Sequence, residues 1–146
     1  MRISTKGRYG LRILLDVAAH AQKGPVALRD ISRRQQISQK YLWQVINPLK
    51  LAGMLRVTRG AHGGYTLARS PAKISILDIV EILEGPVTVV GCLQVPDSCD
   101  RSNDCTARDA WAEVEAKLKE AMDGITLQYL LERQEAQGKT GGSYEI

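Results

Sequence analysis

Over residues 5–22, Tyr9, Ile13, Leu14, Val17, Ala18 and Ala21 recur at three- and four-residue intervals, which is the period of an amphipathic helix. Ser4 or Thr5 stands where a cap accepts free N–H groups, and Gly24 and Pro25 end the pattern. ALRDISRRQQ, residues 27–36, predicts a short second helix that buries Leu28 and Ile31. A tight connection at Gln36 and Ile37 leads to Ser38, the cap of a third helix in QKYLWQVINPLKLAGML. Its buried face is Leu42, Val45, Ile46 and Leu49, and Gly53 stops it. Pro48 removes a backbone donor and crowds the preceding turn, which predicts a kink or restart near Asn47. LRVTR and YTLAR then alternate like two strands around RGAHGG. Three helices followed by a hairpin are the order of a winged helix-turn-helix, so the expected fold is mainly α with a small β-hairpin wing (α+β).

The pattern turns helical again in ISILDIVEILEG, residues 74–85, where Ser75 and Asp78 are spaced as a capping box. VTVV reads as a short extended piece. DAWAEVEAKLKEAMDGI sets Trp111, Val114, Leu118, Ala121 and Ile125 on one face of a long helix. A single stripe on so long a helix needs a covering surface, either its own domain or a second copy, and two-fold DNA sites favour a homodimer. ITLQYLLERQEA predicts a last helix. The expected organisation is a DNA-binding unit over 1–75, a linker helix, cysteine loop and dimerisation helices over 76–137, and a disordered tail over 138–146.

Charge gives this outline a partner. Residues 1–75 carry fourteen Lys or Arg against Asp16 and Asp30, a net of +12, whereas the remainder carries a net of −8. A half so basic repels itself when compact unless a polyanion neutralises the field, which points to nucleic acid. No apolar run approaches the length of a membrane span and the opening MRISTKGRYG does not read as a secretory leader, so no membrane role and a cytoplasmic location are expected.

In a helix-turn-helix, the second of the paired helices enters the major groove with its N-terminal residues toward the base edges. That assigns Ser38, Gln39, Lys40, Tyr41, Trp43 and Gln44 to the groove of a double-stranded DNA operator. Gln44 suits bidentate pairing with adenine, Lys40 donates to guanine or phosphate, and Ser38 contacts either. Tyr41 lies one turn from Val45, so a core position is an equal alternative, whereas Trp43 lies off the apolar stripe. In the wing, Gly60, Gly63 and Gly64 permit close approach to DNA, Arg59 suits a narrow minor groove, and His62 at the tip a phosphate. Lys6, Arg8, Arg33, Arg34 and Arg56 are assigned to backbone neutralisation. A catalytic glycine loop would precede a helix, and with no HExxH, no Ser/His/acid grouping and two distant histidines, no enzyme is expected.

CLQVPDSCDRSNDC separates Cys92, Cys99 and Cys105 by six and five residues. Structural zinc favours short CxxC pairs and four ligands, whereas iron–sulfur clusters are held by thiolates on irregular loops. A fourth ligand is not apparent. MRISTKGRYGLRILLDVA, LRDISRRQQIS, KYLWQVINPLKLAGML, RGAHGGYTLAR and CTARDAW together resemble the Rrf-type winged-helix transcription regulators, and among them the IscR-like iron–sulfur cluster regulators, over about residues 1–135. The resemblance implies a homodimer crossed through the long helix, with a cluster held by Cys92, Cys99 and Cys105. A 2Fe–2S cluster is preferred and a 4Fe–4S cluster is the alternative, supplied by cluster-donor proteins. Two positions depart from it: the IscR-type ligand histidine corresponds to Arg108, and ligands that other members borrow from the partner's first helix correspond to Arg8 and Arg12. The fourth ligand is open among Asp97, Asp100, Asp104, Asp109, His20, a small thiol and solvent. The expected function is a dimeric DNA-binding regulator sensing iron–sulfur or redox status; the alternatives are a metal-free thiol or partner-protein sensor of the same fold, and a small iron–sulfur redox protein.

Overall fold

The computed structural model describes residues 1–141. Helix α1, Thr5–Ala19, begins at Ser4, whose side chain accepts the Gly7 N–H. It ends three residues before the end of the predicted run at residue 22, and a single 3-10 turn over Ala21–Lys23 follows. Helices α2, Leu28–Gln35, and α3, Gln39–Leu51, are joined through Gln36, which takes the left-handed conformation at φ 55°. Ser38 caps α3 by accepting the Tyr41 N–H at 3.2 Å. Pro48 does not restart α3, which is helical throughout its range. Proline deprives the fourth residue back, Gln44, of its helical partner, and Gln44 is solvent-exposed, where water can replace the missing donor.

Strands β1, Leu55–Thr58, and β2, Gly64–Leu67, pair antiparallel with Leu55 opposite Leu67 and Thr58 opposite Gly64. Val26 and Tyr65 exchange two backbone bonds of 2.9 and 2.8 Å, fastening the hairpin to the segment before α2. Helix α4, Ile76–Glu84, starts with the predicted capping box, Asp78 N–H to Ser75 Oγ at 3.1 Å and Ser75 N–H to Asp78 Oδ2 at 3.0 Å. VTVV is not a strand: Val87 is buried, and the Val89 N–H donates to Glu115 Oε2 at 3.1 Å rather than to a strand edge.

The short helix α5, Gly91–Gln94, opens the cysteine loop, and α6, Thr106–Asp123, closes it. Helix α7, Leu127–Gly141, runs beyond the predicted end near residue 137; the last five residues of the expected tail lie outside the described residues.

One core unites these pieces. Ile13, Leu14 and Val17 of α1, Ile31 of α2, Leu42, Val45, Ile46 and Leu49 of α3, and Ile79 and Leu83 of α4 are buried together with Leu127 of α7. A Cβ at Gly10 would lie 2.2 Å from Leu83 Cδ1, and one at Gly7 2.3 Å from Glu84 Oε1. A larger residue at either position would have to displace the Leu83 or Glu84 side chain for α1 and α4 to stay this close. The Ile76 N–H donates to Ile125 O and the Leu127 N–H to Ile74 O, both at 2.9 Å, which returns the chain after α6 to the core. Helix α6 is different: it has no buried residue along its length, and Trp111 and Val114 are each 48% exposed.

Candidate nucleic-acid interface and cysteine loop

The core stripe of α3 leaves its opposite side to solvent. Gln39, Lys40, Trp43 and Gln44 are exposed, and Lys40, Trp43, Gln44, Asn47 and Leu51 follow at three- and four-residue spacing or as neighbours, so they share one helical face. Trp43 is 53% exposed with the Lys50 ammonium 5.8 Å from its ring centre, which holds a flat apolar surface beside a cation. Tyr41 goes to the other side: its ring meets Tyr9 edge-on at 5.6 Å, and it packs against the core. Leu51, 78% exposed at the far end of this face, was not singled out from the sequence. Its spacing of four from Asn47 was the available signal.

The wing presents Arg59 and His62 to solvent just beyond β1. Its glycines answer to backbone geometry. Gly60 has φ 111°, a conformation that disfavours a side chain. A Cβ at Gly63 would lie 2.1 Å from the Thr58 carbonyl oxygen, and one at Gly64 2.4 Å from that of Val26. Glycine at these three positions therefore shapes the tip and seats it on residues 26–27.

The predicted phosphate contacts divide. Arg8 is exposed and donates to Thr5 Oγ1 at 3.0 Å; Lys6 is half-buried; Arg33 is exposed beside Asp30 at 3.5 Å. Arg34 serves a structural role instead. Its guanidinium clasps Asp16 through Nε to Oδ2 at 2.9 Å and Nη2 to Oδ1 at 2.6 Å, and Gln35 Nε2 adds a third bond at 2.9 Å. Burial pushes the Asp16 carboxyl up, but the Arg34 and Gln35 hydrogen bonds outweigh it and hold the group below its ordinary value. Asp16 sits within the apolar stripe of α1, between Ile13 and Val17. A charge in that stripe signals a buried partner.

Cys92 and Cys105 are half-buried and Cys99 is exposed; all three are free thiols. Cys105 caps α6, its Sγ accepting the Arg108 N–H at 3.4 Å, and Arg108 Nε donates to the Cys92 carbonyl oxygen at 3.4 Å. Arg108, at the position where the resemblance places a histidine ligand, thus ties both half-buried cysteines to the first turn of α6. Glu115, deeper in α6, holds the Val89 N–H and pairs with Lys119 at 3.3 Å. Burial raises its carboxyl, and the bonds from Val89, Thr88 and Lys119 overcome that and lower it. Among the described residues no three His, Cys, Asp or Glu side chains gather as a metal site.

The sequence signature described as "Rrf2: Iron-dependent Transcriptional regulator" matches residues 3–133. The chain belongs to the Rrf2 family. Within it, the chain is 38% identical over 130 residues to the HTH-type transcriptional regulator CymR of Bacillus subtilis, covering 89% of each chain. The structure of CymR, the global cysteine regulator of B. subtilis, superimposes with a TM-score of 0.77 at 36% identity, covering 91% of this chain and 98% of that one. The structure of T. potens IscR gives 0.76 at 37% identity, covering 94% and 91%. This Rrf2 protein is a DNA-binding transcriptional regulator with a winged helix-turn-helix, and not an enzyme. Among its described residues no helix is long and apolar enough to cross a membrane.

Proposed function

We propose that the protein acts in the cytoplasm as a homodimer that reads double-stranded DNA with α3 and the wing, and that the 92–105 loop reports thiol or iron–sulfur status to it. The carrying observation is the exposed face of α3 and the wing on a half with net charge +12, in which Asp16 and Asp30 are the acids and both face arginines. Gln39, Lys40, Trp43 and Gln44 are assigned to base edges, Ser38, Arg8, Lys6 and Arg33 to the backbone, and Arg59, Gly60 and His62 to the groove beneath the wing. Tyr41 supports the helix from behind through Tyr9.

The dimer reading rests on α6, whose Trp111 and Val114 are each left 48% exposed by the described residues. A second copy crossing this helix would bury them and set the separation of the two reading heads. The loop is fastened to α6 through Arg108, and the segment just before it through the Val89 N–H on Glu115, so a change at its thiols acts on the same helix. Cys92, Cys99 and Cys105 are its sensing residues. A loaded form holding iron is the second reading, favoured by the family description and requiring the loop to gather its thiols.

Titration of duplex DNA at several salt concentrations tests the interface: log affinity should fall steeply with log salt, by about 0.9 per phosphate neutralised. A flat response refutes it. Iron, sulfide and visible absorption of anaerobically purified protein decide between the sensing forms. A chromophore lost in Cys92→Ser establishes the cluster, and colourless protein assigns sensing to the thiols.

A further inference from the structure

A cavity lies between the C-terminal half of α1, the end of α2 and the middle of α7. It measures about 650 Å³, within the range of small-molecule sites. Three elements each send an arginine to it: Arg12 from α1, Arg34 from α2 and Arg133 from α7. Leu15 and Leu130 supply an apolar wall, and His20 lies at the rim with its Nδ1–H donating to the Asp16 carbonyl oxygen at 2.8 Å.

Among the described residues Asp16 is the single carboxylate that lines this cavity, and it is already satisfied by Arg34 and Gln35. Arg12 donates through Nε to Gln35 Oε1 at 3.1 Å and through Nη2 to the Gln35 carbonyl oxygen. A guanidinium has five N–H donors, so Arg12 and Arg34 each retain three. The Arg133 side chain has no ion pair or hydrogen bond among the described residues. The cavity therefore carries two positive charges in excess of its acid, with unspent donors in the fork geometry that suits planar or tetrahedral oxyanions.

The geometry points to an effector site for a small organic anion, bearing a carboxylate or phosphate and an apolar portion that rests on Leu15 and Leu130. Bound there, the anion bridges α7 to the Gln35 corner, three residues before the Ser38 cap of α3. Its occupancy would thereby bias the reading helix, and DNA would in turn change affinity for the anion by the same factor. This coupling rests on the DNA-reading function, whereas binding of the anion does not.

Calorimetric titration of the full chain with citrate and with inorganic phosphate, against chloride at matched ionic strength, tests the site. Saturable binding of either probe is expected, weakened at least about fivefold in Arg133→Gln and less in Arg133→Lys, with thermal unfolding unchanged. Duplex titration of the same variants distinguishes the source of the anion. Unchanged DNA affinity and salt slope in Arg133→Gln, with small-anion binding lost, supports the effector site. No binding above the chloride control, or a salt slope reduced by about one in Arg133→Gln with neither small anion bound, overturns it and assigns Arg133 to DNA phosphate.

Discussion

Replacing Asp16 by alanine tests how the paired helices are held. The carboxylate is 1% exposed and the Arg34 side chain 28% exposed. Removing one member of a buried ion pair costs about 3–5 kcal/mol, because the other charge is left without a partner. Arg34 keeps some access to water and can rehydrate in part, so the loss for Asp16→Ala should be about 2–3 kcal/mol. For a chain of this size that lowers the midpoint of thermal unfolding by roughly 6–12 °C. Circular dichroism at 222 nm, at neutral pH and one fixed protomer concentration, reads the shift.

Adding Arg34→Met to Asp16→Ala removes the stranded charge and should recover at least about 1 kcal/mol, as replacement of whole buried pairs by apolar groups often does. A loss below about 1 kcal/mol for the single change, or a double variant as unstable as the sum of the two singles, would falsify the account of Asp16 as a buried clasp. The pH dependence has a definite sign. The folded carboxyl titrates below its ordinary value of 3.8, so its stabilisation is complete above that value and disappears as pH falls through the lower, folded value. Asp16→Ala should accordingly flatten the acid limb of the stability curve below about pH 4.

Three further outcomes follow from single contacts. Ser75→Ala breaks the capping box of α4 and should cost about 1 kcal/mol in denaturant unfolding, with Ser75→Asp retaining most of it; equal losses would assign the effect to burial of the site rather than to the cap. Gly64→Ala places a Cβ 2.4 Å from the Val26 carbonyl oxygen, so it should release the wing from residues 26–27 and speed hydrogen exchange at the Tyr65 and Val26 amides. Exchange unchanged at both amides would show that the backbone gives way elsewhere. Trp111→Lys places a charge at the N-terminal end of the exposed stripe of α6 and should shift the sedimentation of a dimer toward monomer with the helix content intact; an unchanged dimer would move the interface off this face.

Much of the fold was legible along the chain because it is built from local rules. Ser4, Ser38 and Ser75 cap helices whose apolar stripes recur at helical spacing, and RGAHGG between two alternating segments could only be a turn. The exposed face of α3 followed from subtraction, since residues outside the Leu42, Val45, Ile46 and Leu49 stripe must face solvent. Pro48 brings no restart because the carbonyl it leaves without a donor belongs to an exposed residue that water can reach, and burial is what spacing does not report.

What resisted such reading involves residues far apart in sequence. Asp16 and Arg34 are separated by eighteen positions, and only the packing of α1 on α2 turns a basic residue suited to phosphate into the partner of a buried acid. Arg12, Arg34 and Arg133 share a cavity because α7 returns to the core through Leu127, a contact no local period encodes. The same distinction separates the thiols from a metal site: their order along the loop is a matter of spacing, but whether they converge depends on how Arg108 binds that loop, and Glu115 the segment just before it, to α6. Period, caps and turns are set by neighbours along the chain, whereas the pairing of charges waits on the core that brings their helices together.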